Sequence, residues 1–391
     1  MSVQTDICII GGCGHVGFPL GLSFANAGKK VSLLDIDKAQ IEKIKHGIIP
    51  FKEEGARELL KRVLKRDLLV CTDDPAVVSG AESVIVVTGT PLDEYLNPRL
   101  DAVTGVLDQY FDYFREGQTL ILRSTLYPKT SENIHDYFLR KNKKIHVAFC
   151  PERVTEGHAI EEISSLPQIV SGFTPEGIAK AKELFLLLTQ KVIELTPLEA
   201  ELTKLFANAY RYIHFSISNQ FYMITAAHKV NFDRIYQAMV EDYPRMKNFP
   251  TPGFTAGPCL LKDTMQLSAF ANHNFYLGHS AMLVNENMPR CIVDIMKSRI
   301  DLKDKRVGIL GMAFKAESDD KRDSLSFKLK RLLKQEAKQV YCSDEYIEDK
   351  TFISKEELIE RSDVIAIGAP HKAYAALKLE GKAVFDIWGI V

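Results

Sequence analysis

Four groups of residues in this 391-residue chain have types and spacings that could do chemistry. Gly12-Cys13-Gly14-His15-Val16-Gly17 fits G-x-G-x-x-G. An apolar strand pattern ends at Gly11, and a helix pattern starts near His15 and Val16. A second strand pattern ends in Asp35, eighteen residues after the last glycine. This is the dinucleotide fingerprint in its βαβ setting. Gly12 permits the tight turn, Gly14 lets backbone approach a pyrophosphate, and the helix start offers N–H groups to it. Asp35 would accept hydrogen bonds from the adenosine ribose and repel a 2′-phosphate, which predicts NAD over NADP. Cys259 stands in Gly257-Pro258-Cys259-Leu260-Leu261-Lys262-Asp263, where a Pro/Gly-rich loop gives way to an apolar helix pattern. The helix dipole and the nearby lysine favour its thiolate, and Asp263 lies at i+4 on the same face. An inert core cysteine would look the same. Lys204 and Asn208 are also four apart on one helix face, and also read as a solvated lysine beside a surface asparagine. Pro151–Gly157 (PERVTEG) follows a strand end, as does Ser124-Thr125. Glu152 and Glu156 read either as a general base or as surface charge.

The elements that must position these residues alternate. Asp6–Ile10, Val31–Asp35, Ser83–Thr88, Thr119–Ser124, His146–Phe149 and Gln168–Ser171 are short Val/Ile-rich runs, predicted as buried strands. Gly17–Ala27, Lys38–Lys45, Ala56–Lys65, Asp101–Phe114 and Lys129–Arg140 are predicted helices between them. Such alternation implies a doubly wound parallel sheet, with sites at strand ends. From Pro197 to about Ile300 helix patterns dominate: Glu199–Ala227, Asp233–Val240 and Asp263–Asn272, interrupted by a Pro/Gly loop from Pro244 to Pro258. Strands return at Arg306–Leu310, Gln339–Cys342, Asp363–Ile367 and Ala383–Ile387, with a helix expected over Asp320–Lys334. The expected fold class is α/β, two Rossmann-like doubly wound domains joined by a central helical domain. The expected bounds are 1–195 for the domain with the dinucleotide fingerprint, 196–300 for the helical domain and 301–391 for the second α/β domain.

Composition excludes several classes. Fifty Lys+Arg against 51 Asp+Glu give a net charge of −1, which argues against a generic nucleic-acid binder. Hydrophobic residues at 46% and charged residues at 26% suit a soluble globular protein. No apolar run reaches the roughly 18 residues of a membrane span, and the first residues lack a secretory pattern. Seven cysteines without a C-x-x-C argue against a disulfide framework or zinc ribbon. The expectation is a cytoplasmic protein without a metal, a membrane or a nucleic-acid partner.

Taken in order, GCGHVG, the STL segment at Ser124, PERVTEG, KLFANAYR, GPCLLKD and Gly311–Ser324 (GMAFKAESDDKRDS) resemble the UDP-glucose/GDP-mannose dehydrogenase family over nearly the whole chain. The resemblance implies four-electron oxidation of a sugar C6 alcohol to a carboxylate. A first hydride passes to NAD, Cys259 captures the aldehyde as a thiohemiacetal, a second oxidation gives a thioester, and water hydrolyses it. Lys204 and Asn208 would stabilise the oxyanion. Asp263 would order water or relay a proton, and Glu152 would act in thioester hydrolysis. Thr125 and Glu156 would line the nicotinamide side and the water path, with Thr90 also on the cofactor and Arg322 reaching it from the C-terminal domain. Phe254, Gly257, Lys262, Phe314 and Lys315 would contact the nucleotide sugar, Lys315 at its phosphates. Arg245 would enter the neighbouring subunit's site across a homodimer built on the 199–227 helix, whose Leu202, Leu205, Phe206, Tyr210, Ile213 and Ile217 give more than one apolar stripe.

Three departures fall near the sugar. Ala256-Gly257-Pro258 replaces a double glycine, the loop from Arg245 to Cys259 is short, and Asp386-Ile387-Trp388 stands where many UDP-glucose members place an arginine. The balance favours an N-acetylated UDP-hexose over UDP-glucose, with GDP-mannose third, and polysaccharide synthesis as the destination. The alternatives are a two-electron 3-hydroxyacid or 6-phosphogluconate type of dehydrogenase, and a catalytically silent nucleotide-sugar sensor. Neither of them explains Cys259.

Overall fold

A computed structural model of the chain describes residues 4–99 and 101–391. The strands are β1 (Thr5–Ile10), β2 (Val31–Leu34), β3 (Leu69–Thr72), β4 (Ala81–Val86), β5 (Thr119–Leu122), β6 (His146–Phe149), β7 (Gln168–Gly172), β8 (Val192–Glu194), β9 (Arg306–Leu310), β10 (Gln339–Ser343), β11 (Val364–Ile367) and β12 (Ala383–Phe385). The helices begin with α1 (Gly17–Asn26), α2 (Lys38–Lys45), α3 (Ala56–Lys65), α4 (Ala76–Gly80), α5 (Asp101–Tyr110), α6 (Thr130–Arg140), α7 (Ala159–Ser165) and α8 (Pro175–Leu186). They continue with α9 (Pro197–Ala227), α10 (Phe232–Val240), α11 (Leu260–Phe270), α12 (Tyr276–Arg299), α13 (Leu325–Glu336) and α14 (Lys355–Arg361).

Among the described residues, one sheet has the order β3-β2-β1-β4-β5-β6-β7-β8 and the other β10-β9-β11-β12. Both faces of the larger sheet are covered, and its strands show why they read as unbroken apolar runs. Along β1, Ile7 and Ile9 enter one core while Cys8 and Ile10 enter the opposite one. On β5, Ile121 joins the first core, and Leu120 and Leu122 the second. The fold is thus the expected α/β type, with parallel sheets toward both ends of the chain and helices between them.

Two strands depart from the expected parallel sheet: β7 runs antiparallel to β6, Phe149 opposite Ser171, and β8 runs parallel to β7. The seven-residue α7 is too short to carry the chain back along the sheet, so β7 enters from beyond the end where β6 stops and pairs with it through the last residues of both strands. The helix expected from Asp320 starts at Leu325 instead, because Ser324 is its N-cap and accepts from Ser326 N.

The chain clusters into two compact units, 1–206 and 207–391, with α9 starting in the first and ending in the second. In the second unit, Met288, Ile292, Val293 and Met296 of α12 share a core with Val307 and Ile309 of β9 and Leu325 and Leu329 of α13. No helix among the described residues is long and apolar enough to cross a membrane.

Candidate active site

The glycine-rich turn has the geometry its spacing asks for. Gly11 and Gly12 N–H donate to Leu34 O, at 2.9 and 3.1 Å. A Cβ on Gly12 would lie 2.8 Å from Ile9 O and from Leu33 Cα, and one on Gly17 would lie 2.4 Å from Gly11 O. A Cβ on Gly14 would meet nothing closer than 3.8 Å, so this glycine leaves room beside the backbone. No side chain caps α1 at Val16, and the helix start presents its dipole to an anion. The His15 ring lies against Phe51, with ring centres 3.9 Å apart and planes tilted by 30°. Asp35 Oδ2 accepts from Cys13 N at 2.8 Å and Oδ1 from Asp37 N at 3.0 Å, and the carboxylate remains partly exposed. Cradle, open glycine, uncapped helix and acid together fit NAD.

The ends of β5 and β6 bring the next residues together. Thr90 Oγ1 donates to Thr125 O at 2.7 Å. Glu152 is buried and faces Arg123, whose side chain is completely buried. Arg123 Nη2 lies 2.6 Å and Nε 2.9 Å from Glu152 Oε2. The guanidinium also donates to Cys150 O at 3.1 Å and Gln168 Oε1 at 3.0 Å, and lies 4.7 Å over the Phe185 ring. Glu152 Oε1 accepts from Arg153 N and Val154 N, at 2.7 and 3.0 Å. Glu152 is therefore oriented by a cation on one oxygen and by its own loop on the other. Glu156 sits in the same loop, which Glu53 fastens by accepting from Gly157 N and Ile160 N at 3.0 and 3.1 Å. Burial pushes the Glu53 carboxyl up, against the pull of those amides.

In the second unit, Cys259 is exposed at the start of α11, which no side chain caps. Asp263, one turn on, is completely buried. Its Oδ2 accepts from Asn208 Nδ2 at 2.6 Å, and its Oδ1 pairs with Lys262 Nζ at 2.6 Å. Lys204 lies one turn before Asn208 on α9, where it is half-buried. The structure thus ties Asn208, Lys262 and Asp263 into one cluster at the thiol-bearing helix.

The loop ahead of Cys259 explains two departures from the family pattern. Gly257, at φ 97°, is the position that needs a glycine: a Cβ there would lie 2.4 Å from Phe314 Cδ2. Ala256 lies outside the left-handed region, and the second glycine is dispensable. Trp388 packs on the same loop, edge-to-face with Phe254 at 6.3 Å, and a Cβ on Gly253 would lie 2.0 Å from the indole. Asn219 secures the loop by accepting from Gly253 N at 2.8 Å, while its own amide donates to Asn285 Oδ1 at 2.8 Å. Lys315 Nζ lies 5.7 Å from the Phe314 ring centre. Arg322 is paired with Asp320 through Nη2 at 2.6 Å and Nε at 2.9 Å. Arg245 is exposed, donates from Nε to Tyr243 Oη at 2.7 Å and stacks on that ring.

Sequence reasoning missed Arg123, Asn219 and Asn285. Their signal was present: a cation closing an apolar strand run, and amides on otherwise apolar helix faces. Each is buried and bonded, as such groups must be.

Comparisons with known proteins agree. Residues 5–188, 198–287 and 308–391 match the NAD-binding, central and UDP-binding domains of one family, the UDP-glucose/GDP-mannose dehydrogenases. The UDP-N-acetyl-D-mannosamine dehydrogenase of Pyrococcus horikoshii is 29% identical over 389 residues, which cover 94% of this chain and 90% of that one. A solved UDP-N-acetylmannosamine dehydrogenase from Pyrococcus horikoshii superposes with a TM-score of 0.91 at 25% identity, over 99% of this chain and 96% of that one. The corresponding Staphylococcus aureus enzyme gives 0.88 at 25% identity, covering 99% and 95%. With the cofactor turn and the cysteine-bearing helix in place, the chain belongs to the UDP-glucose/GDP-mannose dehydrogenase family and is an NAD-dependent nucleotide-sugar dehydrogenase.

Proposed function

We propose that this enzyme oxidises the C6 alcohol of a UDP-N-acetylhexosamine to the carboxylate through a covalent adduct on Cys259, with UDP-N-acetylmannosamine as the first candidate substrate. One observation carries the chemistry: an exposed thiol at an uncapped helix start, one turn from a buried carboxylate held by an amide and an ammonium. The sugar is inferred from the names of the relatives and from the Asp386–Trp388 end.

The Gly12–Gly17 turn and Asp35 would hold NAD, which would supply the hydride acceptor for each of the two oxidations, one molecule per hydride. The net change is one alcohol, one water and two NAD to one carboxylate, two NADH and three protons. Cys259 Sγ adds to the C6 aldehyde, and Lys204 Nζ with the second N–H of Asn208 meets the oxygen that gains charge. Oxidation of that thiohemiacetal gives a thioester. Glu152, oriented by Arg123, and Asp263 position the water that releases the product. Thr90, Thr125 and Glu156 line the cofactor side, and Arg322 approaches it from the C-terminal segment. Phe254, Gly257, Lys262, Phe314 and Lys315 hold the nucleotide sugar, Lys315 at its diphosphate. We assign the three functional segments to 1–195, 196–300 and 301–391.

A homodimer completes the site. Phe206, Tyr210, Ile217, Phe221 and Ile224 form an exposed apolar row on α9 that a symmetry mate would cover, and Arg245 would then serve the neighbouring site. Light scattering should give twice 44.0 kDa. A fully active monomer would remove both assignments. Cytoplasmic location and supply of a uronic acid to polysaccharide synthesis follow from the same reading.

The test is stoichiometry on a panel of UDP-N-acetylhexosamines, UDP-glucose and GDP-mannose. The expected result is two NADH per sugar, and Cys259→Ala should lower turnover on the order of a thousandfold or more while leaving NAD binding intact. One NADH per sugar, or a Cys259→Ala protein that still makes two at near the original rate, would sink the covalent mechanism.

A further inference from the structure

The smaller sheet carries a buried histidine–carboxylate pair that the chemistry above leaves unused. The side chains of His371, after β11, and Asp344, after β10, are both completely buried, with His371 Nε2 3.2 Å from Asp344 Oδ2. That oxygen also accepts from Met312 N at 2.5 Å and Ala313 N at 2.9 Å, while Oδ1 accepts from Tyr346 N and Ile347 N at 2.8 and 3.0 Å. The carboxylate is an acceptor throughout, so His371 carries its proton on Nε2 and leaves Nδ1 as an acceptor. Glu317 N–H donates to that Nδ1 at 2.9 Å. Glu317 is held at φ 55°, a left-handed conformation that costs energy unless its surroundings fix it. Its carboxylate accepts from Lys372 N at 2.9 Å and from Tyr346 Oη at 2.7 Å. Edges and faces of Tyr346 and Tyr374, 5.0 and 5.3 Å away, wall in the imidazole.

The segment so fastened is short. Asp344 holds residues 312 and 313 directly and residue 317 through His371. Phe314 and Lys315 lie within that bracket, and Phe314 is the ring against which Gly257 of the cysteine loop packs.

We propose that His371, set by Asp344, is a positioning residue for the nucleotide sugar: it fixes the Phe314–Lys315 segment in the shape that meets the diphosphate. This rests on the reading of Lys315 as a diphosphate contact given above. The two hydrogen bonds of the imidazole are separable by substitution. Asparagine restores an acceptor near Nδ1, glutamine reaches Asp344 from the place of Nε2, and leucine does neither.

The experiment uses the full chain with His371→Leu, His371→Gln, His371→Asn and, as a control, Lys315→Met. Steady-state kinetics are measured separately for NAD and for the UDP-sugar, and UDP binding is measured by calorimetry. His371→Leu and His371→Gln should raise the UDP-sugar KM and the UDP Kd roughly tenfold, with kcat and the NAD KM within about twofold of the original. His371→Asn should recover most of the loss. Unchanged UDP affinity in His371→Leu, or equal losses in the asparagine and glutamine variants, would overturn the proposal; the second comparison holds even if the leucine variant does not fold. A matching fall in NAD affinity would show a general structural role and overturn it as well. If Lys315→Met binds UDP as the original does, the reading of Lys315 has failed and takes this inference with it. If Lys315→Met weakens UDP while His371→Leu does not, only the positioning role has failed.

Discussion

The turn after β1 and the turn after β9 share a plan and differ in use. Each begins with a left-handed glycine, Gly11 at φ 77° and Gly311 at φ 91°. Each glycine presses on backbone within two residues of the end of a neighbouring strand: a Cβ would lie 2.9 Å from Val87 O in the first and 2.5 Å from Ala369 N in the second. Each turn meets an acid past the end of the next parallel strand, Asp35 after β2 and Asp344 after β10. Asp35 is partly exposed and takes one amide on each oxygen, which leaves lone pairs for a ligand. Asp344 is closed in and takes four amides and an imidazole. Burial pushes its carboxyl up, but His371 and the amides of Tyr346 and Met312 together outweigh that and hold it below the usual carboxylate range. The same topological position gives a ligand-facing acid where the chain supplies few donors, and a fastener where it supplies many.

Swapping out each acid tests that contrast most severely. Asp344→Ala strands four amides and a histidine in the interior and should cost about 3–5 kcal/mol in denaturant unfolding. Asp35→Ala should cost only about 1 kcal/mol, yet raise the NAD KM roughly ten- to a hundredfold and relax the preference over NADP. If the two variants lost stability equally, the division of labour would be wrong. Equal use of NADP by the unaltered enzyme would remove Asp35 from cofactor choice.

The glycines sharpen the comparison at a smaller scale. Gly311→Ala meets backbone at 2.5 Å with φ at 91° and should cost about 2 kcal/mol or more. Gly14→Ala has open space, so the protein alone should unfold within about 0.5 kcal/mol of the original while NAD affinity falls. An alanine at 14 that leaves NAD binding untouched would show that the pyrophosphate does not pass there.

The smallest effect is a matter of reactivity. The neighbouring Cys71 thiol and burial push Cys13, inside the first turn, up. Burial raises Cys342, before Asp344, to about 11, and Cys8 and Cys150 to about 12. Thiolate is scarce below the pKa, so at pH 7.5 these four should present on the order of a thousandth or less of their thiol as nucleophile. Iodoacetamide followed by peptide mass analysis should therefore mark Cys259 first. Cys13 labelled as fast would mean that the first turn opens.

Much of this was legible in the residues because local pattern and tertiary role agree there. Val31–Leu34, His146–Phe149 and Arg306–Leu310 are apolar on both faces because helices cover both faces. α2 and α3 begin and end where their pattern does. Other elements, β3 and α8 among them, were not read, and three features show why. The edge strand β8 is half-exposed and reads like a loop. α12 contains Asn285 and Pro289, which look like interruptions, yet both face the core, the asparagine bonded to Asn219 and to Tyr212 O. The start of α13 lies past a charged run, Asp319–Asp323, where several residues could cap and only Ser324 does. At the site, glycine spacing and the helix-start cysteine were readable from neighbours in sequence. The Arg123–Glu152 and Asp344–His371 pairs were not, because 29 and 27 residues separate their members.

The buried Arg123–Glu152 pair also constrains how this sequence can drift. Losing the arginine alone leaves an interior carboxylate without its cation, at about 3–5 kcal/mol, and losing the glutamate alone leaves the reverse. Neither single step is neutral, and an apolar pair of similar volume, which could keep the fold, would remove the carboxylate proposed to position the hydrolytic water. Descendants of this chain that keep the activity should therefore keep both residues, and one that keeps only Glu152 should carry a new cation from another strand end to meet it.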